Sequence, residues 1–125
     1  MRILLDTHIL FWLLYDSKRL RKSTLKVLAA SEKTFVSSAT IWEIAIKVRI
    51  RKMDADIDKV IREVERRSLQ SLPITFAHAR QVAELDLRHK DPFDRLLIAQ
   101  AITEGMHLLT ADPQLKPYSD LVICV

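Results

Sequence analysis

Short apolar runs separated by longer helix-patterned segments recur along the whole of this 125-residue chain, and that alternation restricts the fold more than any other feature. "RILL" (2–5), "TFV" (34–36), an extended piece at Leu72–Ile74, "HLL" (107–109) and the terminal "LVICV" read as strands. Between them lie helical patterns over 8–15, 21–31, 39–50, 57–69, 76–86 and 92–104, with a short helical turn after Asp112. Strands divided by helices imply a central parallel sheet with helices packed on both faces, the α/β class. The length is about that of one ordinary domain. With no internal repeat, low-complexity tract or Gly/Ser linker, a single domain over 1–125 is expected.

Several function classes are excluded by what the chain lacks. Gly105 is the only glycine, so the glycine-rich phosphate loops of P-loop and Rossmann proteins cannot be built. The same scarcity removes a G-x-S-x-G nucleophile elbow. The histidines at 8, 78, 89 and 107 never fall at H-E-x-x-H spacing and are expected to be surface or structural residues. A single cysteine, Cys124, permits neither an internal disulfide nor a thiolate metal cluster, which suits a reducing, cytoplasmic setting. Asp6 and His8 interrupt the apolar N-terminus, and no apolar run approaches the ~20 residues of a membrane span, so no membrane association is expected. The net charge of +4 favours a polyanionic partner. The clusters "KRLRK" (18–22) and "RIRK" (49–52), with Arg62, Arg66 and Arg67, are solvated helix faces in the simplest reading, or a rim for phosphates.

The stretch "HKDPFDRLLIAQA" (89–101) poses a sharper question. Asp91-Pro92 starts a helix, leaving Asp94 on the same face as Leu97, Ile98 and Ala101, within the apolar stripe. Other acids converge on it. In open α/β sheets, ligands bind beyond the carboxyl ends of the strands. The first strand runs into Asp6, the strand at 107–109 runs into Thr110 and Asp112, and "VSSAT" leads into the helix carrying Glu43. The helix of Asp94 must run back toward the start of the next strand, so its N-terminus lies at the same edge. Taken singly, Asp6 and Asp112 read as helix caps, and Glu43 as part of a Thr40-x-x-Glu43 capping box or a pair with Lys47. Together, four gathered carboxylates repel one another unless a cation neutralises them. Oxygen ligands suit a hard ion, Mg²⁺ or Mn²⁺. An acidic metal cluster in a basic, glycine-poor chain points to phosphodiester chemistry.

"ILLDTHILFWLL", "VSSATIWEIAIK", "DPFDRLLIAQA" and "LLTADPQL" resemble, in order and across nearly the whole chain, the four motifs of the PIN domain, specifically the VapC-type toxins of toxin–antitoxin pairs. The resemblance implies a three-layer PIN fold and a Mg²⁺- or Mn²⁺-dependent endoribonuclease that leaves a 3′-hydroxyl and a 5′-phosphate. It matches Asp6, Glu43, Asp94 and Asp112 to the family's acids, which hold the metal, with Glu43 a candidate to orient or deprotonate the attacking water. Thr110 matches the hydroxyl residue two places before the fourth acid, while Asp91 belongs to a VapC-like subgroup pattern and reads as a cap. It further implies a homodimer neutralised by a cognate antitoxin, with Phe11, Trp12 and Trp42 as candidate interface residues. The alternative is a non-catalytic RNA- or protein-binding module on the same fold.

Overall fold

The computed structural model describes residues 1–125. Five strands, β1 (Arg2–Leu5), β2 (Lys33–Ser37), β3 (Gln70–Leu72), β4 (His107–Thr110) and β5 (Val122–Cys124), form one parallel sheet in the order β3-β2-β1-β4-β5. The helices are α1 (Thr7–Tyr15), α2 (Lys22–Ala30), α3 (Ser38–Arg49), α4 (Ile57–Arg66), α5 (Phe76–Gln81) and α6 (Pro92–Glu104), with short 3₁₀ turns at Ser17–Arg19, Val82–Glu84 and Pro113–Tyr118. The expected α/β class and flanking helices are thus both present, in the three layers that the resemblance implied.

Strand periodicity explains the layers. In β1, Ile3 and Leu5 enter one hydrophobic cluster with Ile9, Leu10 and Ile44, whereas Leu4 enters the other with Leu97, Ile98 and Leu108. β4 is split likewise, Leu108 to one side and Leu109 to the other. Both strands are central and buried on both faces, which is why they read as unbroken apolar runs. Each of these fully buried side chains contributes about 1.5–3 kcal/mol relative to exposure. No helix is long and apolar enough to cross a membrane.

The winding creates the crevice that matters. From β1 the chain moves outward through β2 to β3, then returns to place β4 on β1's other side. Strand order therefore reverses between β1 and β4, and the carboxyl ends of those two strands deliver Asp6 and Asp112.

Three elements differ from the sequence expectation. The helix read over 57–69 ends at Arg66: Ser68 takes a left-handed conformation (φ 58°), and the Leu69 N–H reaches the Val64 carbonyl. This is a Schellman cap built without glycine, so the usual stop signal is missing from the sequence. The early stop lets the chain extend sooner, and β3 pairs at Gln70–Leu72 rather than 72–74. The pattern over 76–86 divides into α5 and a tighter 3₁₀ turn. Arg51 (φ 60°) ends α3 in the same Schellman manner as Ser68, and Gly105 (φ 64°) ends α6 conventionally.

Candidate metal centre

The innermost acid is Asp6. Its backbone N–H extends the ladder to the Leu109 carbonyl, and its side chain caps α1 by accepting from the Thr7 N–H at 2.7 Å. The cap reading is therefore correct but incomplete, because the second carboxylate oxygen accepts from the Thr110 hydroxyl at 2.7 Å. That hydroxyl in turn accepts the Asp112 N–H at 3.0 Å, so its own proton is committed to Asp6. Asp6 is only 3% exposed. Burial raises its carboxyl above the ordinary range, the Thr110 bond, the His8 charge and the Thr7 bond oppose this, and the Glu43 charge adds to it.

Glu43 lies on α3 and is 4% exposed. The capping-box reading of Thr40 and Glu43 is wrong: α3 begins two residues earlier than Thr40, capped by the Ser37 hydroxyl, which accepts from the Ala39 N–H at 2.9 Å. Ser37 ends β2 directly, so no separate loop is left for a later cap. Thr40 is buried against Thr7, its hydroxyl 3.3 Å away. One Glu43 oxygen accepts from the Thr7 hydroxyl at 2.7 Å and the other from Lys47 Nζ at 2.8 Å, the pairing its spacing allows. Burial disfavours the Lys47 charge, but the bond to Glu43, with the charges of Glu43, Asp91 and Asp94, raises its pKa overall.

The outer half is built on α6. Asp91 caps the helix, accepting from the N–H groups of Phe93 (2.9 Å) and Asp94 (3.1 Å), as its position before Pro92 implied. Asp94 is thereby freed of capping duty. Oδ2 of Asp94 lies 2.8 Å from His89 Nε2, and Oδ1 has no protein donor. Burial, opposed by the His89 bond and reinforced by the charges of Asp6, Asp91 and Glu43, pushes the Asp94 carboxyl up to about 6. Asp112 caps the 3₁₀ turn by accepting from the Gln114 N–H at 2.9 Å and keeps its other oxygen without a protein donor.

Ligand-type atoms of His89, Asp94 and Asp112 all lie within 4.8 Å of one another. Asp6 and Glu43 fall outside that tightest group, yet both raise the Asp94 pKa by their charge, and Asp6 and Asp112 line one cleft of about 360 Å³ with His8, Trp12, Ala111 and Pro113. His89 departs from the expectation of a purely surface or structural histidine: it faces the acids, and its ring lies within the grouping that could hold a metal, beside the oxygens that the sequence pointed to. Its pKa is raised by the Asp94 bond, against desolvation, with help from the charges of Asp94, Asp112 and Asp91. The sole hint in sequence was its place five residues before Asp94, across a Pro-containing turn. His78, by contrast, is a structural histidine: it completes a capping box with Thr75 and bonds Glu104 at 2.8 Å.

The loop carrying His89 is held from both sides. Arg95 donates to the carbonyls of Val82, Leu85, Asp86 and His89, while the Tyr118 hydroxyl accepts the His89 N–H at 2.8 Å. Asp94, its pKa raised by burial, and Asp112, both beside the His89 imidazole and each with an oxygen that has no protein donor, are a donor set that fits a divalent cation.

An open parallel sheet with acids gathered where its strand order reverses defines an α/β protein with an acidic centre at the switch point. The family model described as PIN domain matches residues 3–121, and the chain belongs to that family, whose members are in general nucleases. No curated protein matches it by sequence. Among solved structures, it is similar to VapBC2 from Rickettsia felis bound to a DNA fragment from their promoter (TM-score 0.73, 17% identity, covering 100% of this chain and 98% of that one). It is also similar to a toxin–antitoxin complex from Klebsiella pneumoniae (TM-score 0.69, 18% identity, 97% and 95% covered). A third likeness is to FitAcB from Neisseria gonorrhoeae (TM-score 0.67, 19% identity, 98% and 96% covered). At these identities the likeness concerns the fold.

Proposed function

We propose that the protein is a Mg²⁺- or Mn²⁺-dependent endoribonuclease and the VapC-type toxin of a toxin–antitoxin pair. The observation that carries the reading is the grouping of His89, Asp94 and Asp112 within 4.8 Å, backed by Asp6 and Glu43, at the switch point of a PIN fold. In this reading Asp94 and Asp112, with His89, would hold the cation, and Asp6 would support them from its buried position. Such an ion would supply charge neutralisation at the scissile phosphate and a more acidic water. Glu43 has both oxygens engaged by Thr7 and Lys47, which suits it to orienting a water or substrate group from a fixed position more than to swinging onto a metal. Thr110 fixes the Asp6 carboxylate through its committed proton.

The partner readings rest on lighter support. Toxin–antitoxin complexes among the similar structures support a cognate antitoxin partner. A homodimer is supported by Trp42, 56% exposed on α3 with Ile46 and Ile50 beyond it, whereas Trp12 and Phe11 are partly buried. A single domain over 1–125 in the cytoplasm completes the proposal. The competing reading, a binding module without catalysis, draws on the protein donors that already satisfy Asp6 and Glu43.

The test is cleavage of total RNA with Mg²⁺, Mn²⁺ or EDTA, run beside a calorimetric metal titration. Metal-dependent cleavage lost in Asp94→Asn is the expected result. Absence of both metal binding and cleavage would return the chain to the binding-module reading.

A further inference from the structure

The basic run at 18–22 has no part in the acidic centre, yet it stands beside it. Arg19 and Arg21 line a cleft of about 310 Å³ with Ile9, Trp12 and Thr24, and this cleft shares Trp12 and Ala111 with the one that contains Asp6 and Asp112. The two therefore adjoin, with Trp12 and Ala111 common to both walls. Trp12 lies six residues beyond Asp6 along α1, about 9 Å of helix rise. The Arg19 guanidinium sits over the indole at 5.2 Å, and the ring of His8, which lines the cleft of the acids, lies 6.2 Å from it.

Neither arginine is paired with a carboxylate, nor are Lys18 and Lys22. The other basic groups behave differently. Arg66 and Arg67 are both tied to Glu63, at 2.8 and 3.4 Å, and the 49–52 cluster ends α3 with no aromatic partner. Guanidinium groups without a carboxylate partner, one of them resting on one face of a partly exposed indole, offer single-stranded nucleic acid charge for its phosphates and an aromatic surface for its bases. An acidic peptide would use the charges and leave the indole face idle.

We propose that this cleft is a nucleotide subsite, taking the single-stranded RNA that flanks the bond held at the acids, with a base against Trp12 and adjoining phosphates on Arg19 and Arg21. The inference rests on the ribonuclease reading. It extends that reading by giving the substrate a direction, leading along α1 toward the start of α2.

The test is fluorescence anisotropy of a labelled single-stranded RNA dodecamer in EDTA, where binding is read without cleavage, over a range of salt. Replacing both Arg19 and Arg21 by Ala should lower the log–log salt slope by about 1.4, two phosphate contacts at about 0.7 each on a single strand. Arg66→Ala should leave it unchanged. Trp12→Leu, which keeps an apolar side chain but removes the ring, should weaken binding about 5- to 150-fold, and Trp12→Phe should restore much of it because a ring remains. A double variant with the parent's slope overturns the subsite. So does an unchanged affinity in Trp12→Leu, which would mark a general anion patch open equally to acidic peptides. Binding that follows these variants in a protein that never cleaves RNA would instead overturn the nuclease reading and leave the subsite standing.

Discussion

The two halves of the acidic centre are built on different principles. The inner half, Asp6 and Glu43, is almost fully buried, and every carboxylate oxygen there has a donor from the protein: Thr7, Thr110 or Lys47. The outer half, Asp94 and Asp112, is only partly buried and keeps oxygens with no such donor, with His89 as Asp94's sole partner. Burial without partners is costly, so the deep acids must be satisfied by the fold itself. The shallow acids need not be, and the cost of holding Asp94 half-buried near the charges of Asp6, Asp91 and Glu43 is left for something else to relieve. What is fixed inside gives position; in the proposed reading, what is unsatisfied outside would give affinity for the cation.

Breaking the outer half should produce the largest effect. Asp94→Asn keeps the size and removes the charge, and the expected outcome is loss of about 10²–10³-fold in RNA cleavage rate with thermal stability held or raised. A variant that cleaves normally would refute the assignment. His89→Ala comes next, since losing a nitrogen donor should weaken Mn²⁺ about 10- to 100-fold by calorimetry, with Mg²⁺ affected less because it favours oxygen.

The pH dependence separates the halves further. Asp94 in the folded protein titrates near 6 instead of 3.8, so the folded state binds the proton more tightly than the unfolded one. Its stabilising contribution is complete below 3.8 and is lost as pH rises through about 6. Asp6, also raised, acts with the same sign. Comparing denaturant unfolding of the wild type with Asp94→Asn between pH 4 and 7 isolates this slope, expected to be on the order of 1–3 kcal/mol in the metal-free protein. Adding Mn²⁺ should cancel most of it above pH 6 and little below. The smallest effect belongs to the inner half: Lys47→Met leaves Glu43 with one donor fewer and should cost about 1–2 kcal/mol by urea denaturation, Lys47 being itself about a third exposed. A neutral result would mean that solvent takes over that lysine's role.

Legibility in the sequence followed the same division between local and distant causes. β1, β4 and α6 were readable because their apolar periods and the Asp91-Pro92 start are written in adjacent residues. The convergence of Asp6, Glu43, Asp94 and Asp112 at one edge followed from the direction of strands and helices alone. His89 did not, because its orientation depends on Arg95 and on Tyr118, 29 residues away, closing the loop around it. The end of α4 at Arg66 was equally hidden, since Ser68 adopts a conformation that sequence associates with glycine. The Thr40–Glu43 spacing misled for a related reason: a local motif was available, but Ser37 had already capped the helix.

The bond from Thr110 to Asp6 joins residues 104 positions apart, and β4 is needed to make it. At ribosomal speeds, the chain between them takes roughly 5–20 s to synthesise. Throughout that interval the N-terminal acids exist without their counterparts, and a nascent chain or a product broken off before β4 carries no assembled centre. For a protein read as destroying RNA, the topology thus acts as a delay: the machine that makes it must have passed β4 before the reactive geometry can form.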